Sequence, residues 1–388
     1  KMQDEVGELE DAAESFGKAT YHYQLVVERY PQLTETVKDY IRYMQTWCEI
    51  EAAKHCHQEE RYQDASYRYY NASKILSETH KWSFLSKYYE ACGLLEEAEV
   101  FSIEDEWEKA LELFNKASKL FRYVLDSQKE FPADTSALET EAFQDWLFSA
   151  KVNKKFSLAR ALVEEARIFI KDGQNTKSAR NYGNAASMFE ELVSDVSEEQ
   201  ARTELRTTSL LCRAWQKMRE GEIEVSPTRY SEAATLFLEA RDSTKRQKLG
   251  LLALGNASLC KALEYGTEFQ LKGNNVLYTS TKQQLERAAR FYVEAGFKVR
   301  SNYVVATSRF FDALAYVSKA EAEFDPTGRK ELYILAEKHL QQAAKLFEEG
   351  GFIEKKDEVL RHLERVEQGK QLLLTTSEML SAAAMISS

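Results

Sequence analysis

Ala288-Ala289-Arg290-Phe291-Tyr292-Val293-Glu294-Ala295-Gly296 is the stretch that decides the fold. Two small residues open it, an aromatic side chain follows within a turn, another small residue comes next, and a glycine ends it. Adjacent alanines on one helix face let a neighbouring helix approach closely. The aromatic ring then fills the groove beside them, and the glycine supplies the left-handed residue that reverses the chain. The phrase recurs. Ala12-Ala13-x-x-Phe16, Ala65 to Tyr69, Ala110 to Phe114, Ala185-Ala186-x-x-Phe189, Ala233-Ala234-x-x-Phe237 and Ala343-Ala344-x-x-Phe347 are looser or closer copies. Aligned on the aromatic, they fall at positions 16, 69, 114, 189, 237, 292 and 347.

A step near 50 residues holds two helices of about 20 residues with their turns, so the repeating unit is a helical hairpin. One step, from 114 to 189, is longer and leaves room for an additional or a longer helix over 133–175. A single hairpin cannot bury its apolar face, whereas a stack of hairpins buries a continuous one. The composition agrees. Of 388 residues 44% are hydrophobic, and only four prolines and 15 glycines interrupt the chain, which points to long helices. The expectation is an all-α, right-handed α-solenoid of about seven stacked antiparallel hairpins. It forms one continuous domain over 1–388, closed by a C-terminal capping helix over 352–386.

Helix boundaries are read from local signals. Pro31 ends the first helix, and a second spans about Thr34 to His57. A further helix begins near Trp82. Pro132 and the Ser136-x-x-Glu139 box open a long stretch that ends at Asp172-Gly173, with Asn153-Lys154-Lys155 as a candidate interruption. Ser197-x-x-Gln200, Thr244-x-x-Gln247 and Ser280-x-x-Gln283 read as capping boxes, and Ser226-Pro227 as an N-cap before a first-turn proline.

The Ala-x3-Phe/Tyr-x2-Ala pattern resembles tetratricopeptide (TPR) repeats. The longer hairpins and the Ala-Ala-x-x-Tyr-x-x-Ala-Gly wording look more like the TPR-like helical arrays of the soluble NSF attachment protein (SNAP) type. The repeat here is longer than the ~34 residues of a standard tetratricopeptide unit, and its Trp-x2-Leu-Gly-x2-Tyr signature is absent. The resemblance implies an interaction scaffold that uses basic side chains and asparagines against a bound segment.

A formal net charge of −11 argues against nucleic-acid binding through overall charge. Five scattered cysteines, Cys48, Cys56, Cys92, Cys212 and Cys260, read as free thiols of a reducing compartment, so a cytoplasmic location is expected. The most apolar run, 249–260, is too short to span a bilayer, which takes about 20 residues. The start at Lys1 leaves room for a longer protein. No phosphate loop, zinc-protease motif or nucleophile elbow is present, so neither enzyme activity nor a cofactor is expected. Cys48, His55, Cys56 and His57 cluster on one helix, but without a complementary set they read as a buried cysteine and solvated histidines rather than a metal site.

The sharper signal is basic. Arg202, Arg206, Ser209 and Arg213 fall at i, i+4, i+7 and i+11, and Lys217 extends the row along one helix face. Asn256 interrupts an apolar run, and Asn302 and Arg309 share a face one helical repeat later. On the first helices of the hairpins, which line the concave face of an array, these residues would meet a protein or peptide segment, an acidic one in the case of the basic row. The alternative for the row is pairing with neighbouring glutamates such as Glu198, Glu199 and Glu204, and for Asn256 a hydrogen bond within the core. The function expected is a non-catalytic interaction module. A SNAP-like adaptor that couples a helical bundle to an ATPase through Leu372 to Leu374, or the sensor arm of a larger protein, are the alternatives. In the opening phrase Arg290 and Glu294 are expected to form a solvated pair.

Overall fold

The computed structural model describes the backbone of residues 8–78, 83–127 and 137–386, and the side chains of 8–78, 85–127 and 143–375. Among these residues there are fourteen α-helices and no strand. They are α1 (Leu9–Arg29), α2 (Thr34–Gln58), α3 (Tyr62–Ser77), α4 (Ser83–Ile103), α5 (Trp107–Asp126), α6 (Ala137–Lys171) and α7 (Asn175–Asp195). There follow α8 (Glu199–Glu224), α9 (Pro227–Ser243), α10 (Gln247–Lys272), α11 (Asn275–Glu294), α12 (Lys298–Ala322), α13 (Pro326–Glu349) and α14 (Ile353–Ile386). One 3₁₀ turn, Pro31–Leu33, joins α1 to α2.

The chain divides into two compact units. The first holds Lys1–Glu165 with Ser194–Ser197, and the second holds Ala166–Val193 with Glu198–Ser388. In the first unit α1 packs on α2, α2 on α3, α3 on α4 and α4 on α5. In the second, each helix from α8 to α14 packs on the next. Each unit is therefore a helical-repeat stack in which sequence neighbours are spatial neighbours.

The recurring phrase marks the odd-numbered helices. Phe114 on α5, Phe189 on α7 and Phe237 on α9 have no exposed surface, and Tyr292 on α11 and Phe347 on α13 are nearly as deep. The alanines around them, Ala110, Ala185, Ala186, Ala233, Ala234, Ala288 and Ala343, are likewise wholly buried. Removing one such ring costs about 3–5 kcal/mol, because lost transfer energy and an unfilled cavity add together. The long step between Phe114 and Phe189 is a matter of helix length. Among the described residues α6 alone lies between α5 and α7, it has 35 residues, and it runs unbroken through Asn153-Lys154-Lys155.

Close approach is achieved in a second way that the repeat does not announce. A Cβ added to Gly255 on α10 would stand 2.6 Å from the Tyr292 ring, one on Gly221 of α8 2.9 Å from Tyr230, and one on Gly93 of α4 3.0 Å from Tyr70. In each case a glycine on an even-numbered helix receives an aromatic ring from its odd-numbered hairpin partner.

The helix ends follow the expected stops more closely than the expected starts. Gly173, Gly296 and Gly351 take positive φ after α6, α11 and α13, where a side chain would be strained. Ser226 caps α9, its Oγ accepting from the Arg229 N–H at 3.5 Å with Pro227 in the first turn. The other boxes are corrected. Glu198, not Ser197, precedes α8 and makes no side-chain cap. Thr244 Oγ1 accepts instead from the Arg246 N–H, closing a turn ahead of α10. α11 begins before Ser280, capped by Asn274, whose Oδ1 accepts from the Val276 N–H at 2.8 Å. Ser and Thr bond locally in turns as readily as at helix starts, which is why the motif misleads. Trp82, Pro132 and Ser136 lie outside the described residues.

The tyrosines of the first unit divide. Tyr88 and Tyr89 are core residues, whereas Tyr67 is 67% exposed. All five cysteines are free, with Cys48 half-buried and the others buried. None of the helices among the described residues is long and apolar enough to cross a membrane.

Candidate partner-binding residues

The basic row on α8 is real as a row, but different neighbours hold its members. Arg202 Nη1 lies 3.3 Å and Arg206 Nη1 3.6 Å from Glu199, so two guanidinium groups share one exposed carboxylate. The Nε of Arg202 has no hydrogen-bond partner. Ser209 is buried and donates to the Ala186 carbonyl and to Glu190 on α7. Arg213 grips the same Glu190 with Nε at 3.1 Å and Nη2 at 3.0 Å, and also reaches Ser187. The Arg213 hydrogen bonds hold the Glu190 carboxyl below its ordinary pKa, against a smaller opposing effect of burial. Ser209 and Arg213 therefore tie α8 to α7. Lys217 turns the other way, 3.1 Å from Glu220 and 3.4 Å from Glu232 on α9.

Asn256 reaches no surface. It is wholly buried on α10, where its Oδ1 accepts the Tyr292 hydroxyl at 2.5 Å. The bond joins the interrupting asparagine to the aromatic of the opening phrase. Its Nδ2 is left without a partner.

Asn302 is half-buried on α12. Arg309, seven residues on, is 44% exposed and stands 3.7 Å from Asp312. Asp312 is the centre of a compact cluster that the linear pattern did not reveal. It accepts the Tyr278 hydroxyl at 2.7 Å and the Lys282 ammonium at 2.8 Å, both from α11. His339 of α13 stacks on Tyr316 with Nδ1 3.8 Å from the same carboxylate. Burial lowers the His339 pKa more than Asp312 restores it, and Arg309, Lys282 and Lys338 lower it further. The imidazole is therefore neutral at physiological pH.

In the first unit, His57 Nδ1 meets Glu96 at 2.9 Å, and His55 lies 4.0 Å from Glu10. Arg160 bridges Glu99 at 2.8 Å and Glu164 at 3.3 Å, and Glu164 accepts from Ser102. Among the described residues no group of three or more His, Cys, Asp or Glu side chains is arranged to hold a metal ion. Arg290 and Glu294 of the opening phrase are exposed and do not pair with each other.

The geometry thus sorts the candidates by commitment. Arg213 and Lys217 are engaged across helices, Asn256 is in the core, and Arg202, Arg206, Asn302 and Arg309 keep accessible polar surface.

No protein family matches the chain, and no curated protein matches it. Among solved structures, it is similar to a protein described as a circular tandem repeat protein with novel repeat topology and enhanced subunit contact surfaces. The identity is 13% and the TM-score 0.22, over 96% of this chain and 100% of that one.

Proposed function

We propose that the chain is a non-catalytic protein-interaction module, of the TPR-like kind, that engages an acidic protein or peptide segment through basic side chains of its even-numbered helices. The observation that carries this reading is at the start of α8, where Arg202 and Arg206 converge on the single carboxylate of Glu199. A second carboxylate, from a partner, would complete that arrangement with charge-assisted hydrogen bonds. Arg309 and Asn302 on α12 are the second contact region. Arg213, Lys217 and Asn256 support these contacts by holding the helices that carry them. A repeat stack suits the role, since each hairpin adds surface without new architecture.

The test is affinity capture with the wild type and an Arg202→Glu/Arg206→Glu variant at about 150 mM salt, where exposed charges further apart than about 8 Å are screened. The variant should lose specific partners while its far-UV circular dichroism melt is unchanged. Recovery of the same partners at the same level would refute the reading.

A second reading, an adaptor of the SNAP type, is favoured by the exposure of Leu372 (69%) and Leu374 (40%) on α14. It requires that truncation before Leu372 abolish stimulation of a partner ATPase, and unchanged stimulation removes it.

A further inference from the structure

In the second unit, helices α8 to α13 pack each on the next and are joined by turns of two or three residues. Such short connections make neighbours antiparallel. The α8–α9, α10–α11 and α12–α13 turns therefore share one edge of the stack, and that edge is apolar at every turn. Val225 in the first turn is 60% exposed, and Leu271 (72%) and Val276 (70%) flank the second. Phe324 in the third, at 95%, is the most exposed large apolar side chain among the described residues. The turns of the opposite edge are built differently. Phe297 between α11 and α12 and Phe352 between α13 and α14 lie against the core, and the α9–α10 turn is Thr244-Lys245-Arg246.

Loose loops do not account for the exposure. Across the first turn Arg229 Nε meets Glu224 at 3.1 Å. At the second, the Gly273 N–H donates to the Phe269 carbonyl at 2.8 Å. Around Phe324, Asp325 Oδ2 accepts from the Gly328 N–H at 2.8 Å, and Arg329 Nε donates to the Glu323 carbonyl at 3.0 Å. One turn is also strained. Val225 has φ +49°, where a β-branched side chain is crowded by the backbone, whereas the corresponding residue after α10 is Gly273. In the first unit the turns after α2 and α4 place Glu60 and Asp105 in that conformation, and their sequences are Glu59-Glu60-Arg61 and Glu104-Asp105-Glu106. The second unit thus keeps an apolar group at its turn where glycine would relieve the backbone.

The arrangement indicates what covers the edge. Packed helix axes lie about 8–10 Å apart, so successive hairpins bring up a turn roughly every 16–20 Å. Single apolar tips at that spacing do not make the continuous patch that a folded partner buries. A bilayer interface takes each tip where it falls, provided that the tips share one edge, and leaves the polar turn backbone among the headgroups. The nearest charges are already paired, Arg229 with Glu224 and Lys272 with Glu268 at 3.2 Å. Such an edge suits zwitterionic lipid, since attraction to anionic lipid takes clustered Lys and Arg.

We propose that this edge is a peripheral membrane contact, at which Val225, Leu271, Val276 and Phe324 enter the interface of a zwitterionic phospholipid bilayer. Arg202 and Arg206 lie near the start of α8 and Val225 just past its end, so a partner and a membrane would meet the chain at opposite edges. Neither reading depends on the other.

The experiment is flotation of the full chain with phosphatidylcholine vesicles at about 150 mM salt, where exposed charges are screened beyond about 8 Å. The wild type should float, equally well when about 20% of the lipid is replaced by phosphatidylserine. Phe324→Ser and Leu271→Ser, both at exposed positions, should each weaken partitioning by about tenfold with the circular dichroism melt unchanged. Val225→Gly should weaken it less and raise the melting temperature, because the strain is removed. The control is Val293→Ser, at a position 68% exposed next to the α11–α12 turn of the opposite edge, which should float like the wild type. Four results would overturn the contact: no flotation of the wild type, flotation only with anionic lipid, equal loss in Val293→Ser, or unchanged flotation in both Phe324→Ser and Leu271→Ser. The last, together with loss of a captured protein in those variants, would assign the edge to a protein partner instead.

Discussion

Two glycine-to-alanine substitutions five residues apart on α10 should move stability in opposite directions. At Gly255 the new Cβ would stand 2.6 Å from one Tyr292 ring carbon and 2.8 Å from the next. Carbon atoms pack at about 3.5–4.0 Å, so the ring must retreat by about 1 Å. It has nowhere to go. Tyr292 is 1% exposed, and its hydroxyl is anchored to Asn256 at 2.5 Å. Overpacking of this kind costs about 1–3 kcal/mol. Loosening the Asn256 bond adds about 1 kcal/mol, because that amide already lacks one partner. The gain in helix propensity, about 1 kcal/mol, offsets part of this. The net for Gly255→Ala is a loss of about 2 kcal/mol, or roughly 4–8 °C in melting temperature for a unit of this size. At Gly250 the added Cβ meets only the Thr244 methyl at 3.8 Å, an ordinary contact. There the propensity gain stands alone, and Gly250→Ala should stabilise by up to about 1 kcal/mol. Urea and thermal denaturation followed by far-UV circular dichroism would decide. Gly255→Ala as stable as the wild type, or both variants shifting the same way, would refute the close-packing argument.

Two further outcomes follow from burial and charge. Ellman's reagent should label Cys48 first in the native protein, and Cys56, Cys92, Cys212 and Cys260 only on unfolding, since burial also pushes the Cys92 and Cys260 thiols well above their ordinary pKa. Simultaneous labelling of all five under native conditions would contradict the packing. His362 on α14 lies edge-on to Phe310 at 5.1 Å, and burial first, then Arg365, lowers its pKa, with Glu358 opposing. A depressed folded pKa means that the unfolded chain binds the proton more readily. The neutral imidazole thus contributes stability in full above about pH 6.5, and this is lost as pH falls through the folded value. His362→Gln should flatten the decline in melting temperature between about pH 7.5 and 5.5. An equal decline in the variant would remove His362 as its source.

The odd-numbered helices were legible because their information is local. A ring, its flanking alanines and a stop glycine all lie within one helix, and burial of Phe114, Phe189, Phe237, Tyr292 and Phe347 follows from that spacing alone. Caps were less legible, since where a chain reverses depends on the neighbour it meets. Thr244 and Ser280 carry the right pattern and do not start their helices. The α8 row was visible as a row, but its commitments were not. Glu190 and Glu232, which engage Arg213 and Lys217, come from the helices on either side, at sequence distances that no periodicity marks.

The glycine seats bear on how the chain avoids assembling wrongly. Helices that share one phrase are near-copies, and a folding chain of near-copies risks pairing a helix with its look-alike or sliding it by one turn. Apolar stripes discriminate poorly against such errors, because every stripe satisfies every other. A notch at Gly93, Gly221 or Gly255 accepts a ring only at one height along the helix. Shifted or exchanged partners would drive that ring into a Cβ. The glycines therefore act as keys that give each pairing its address, and specificity is carried by the absence of an atom.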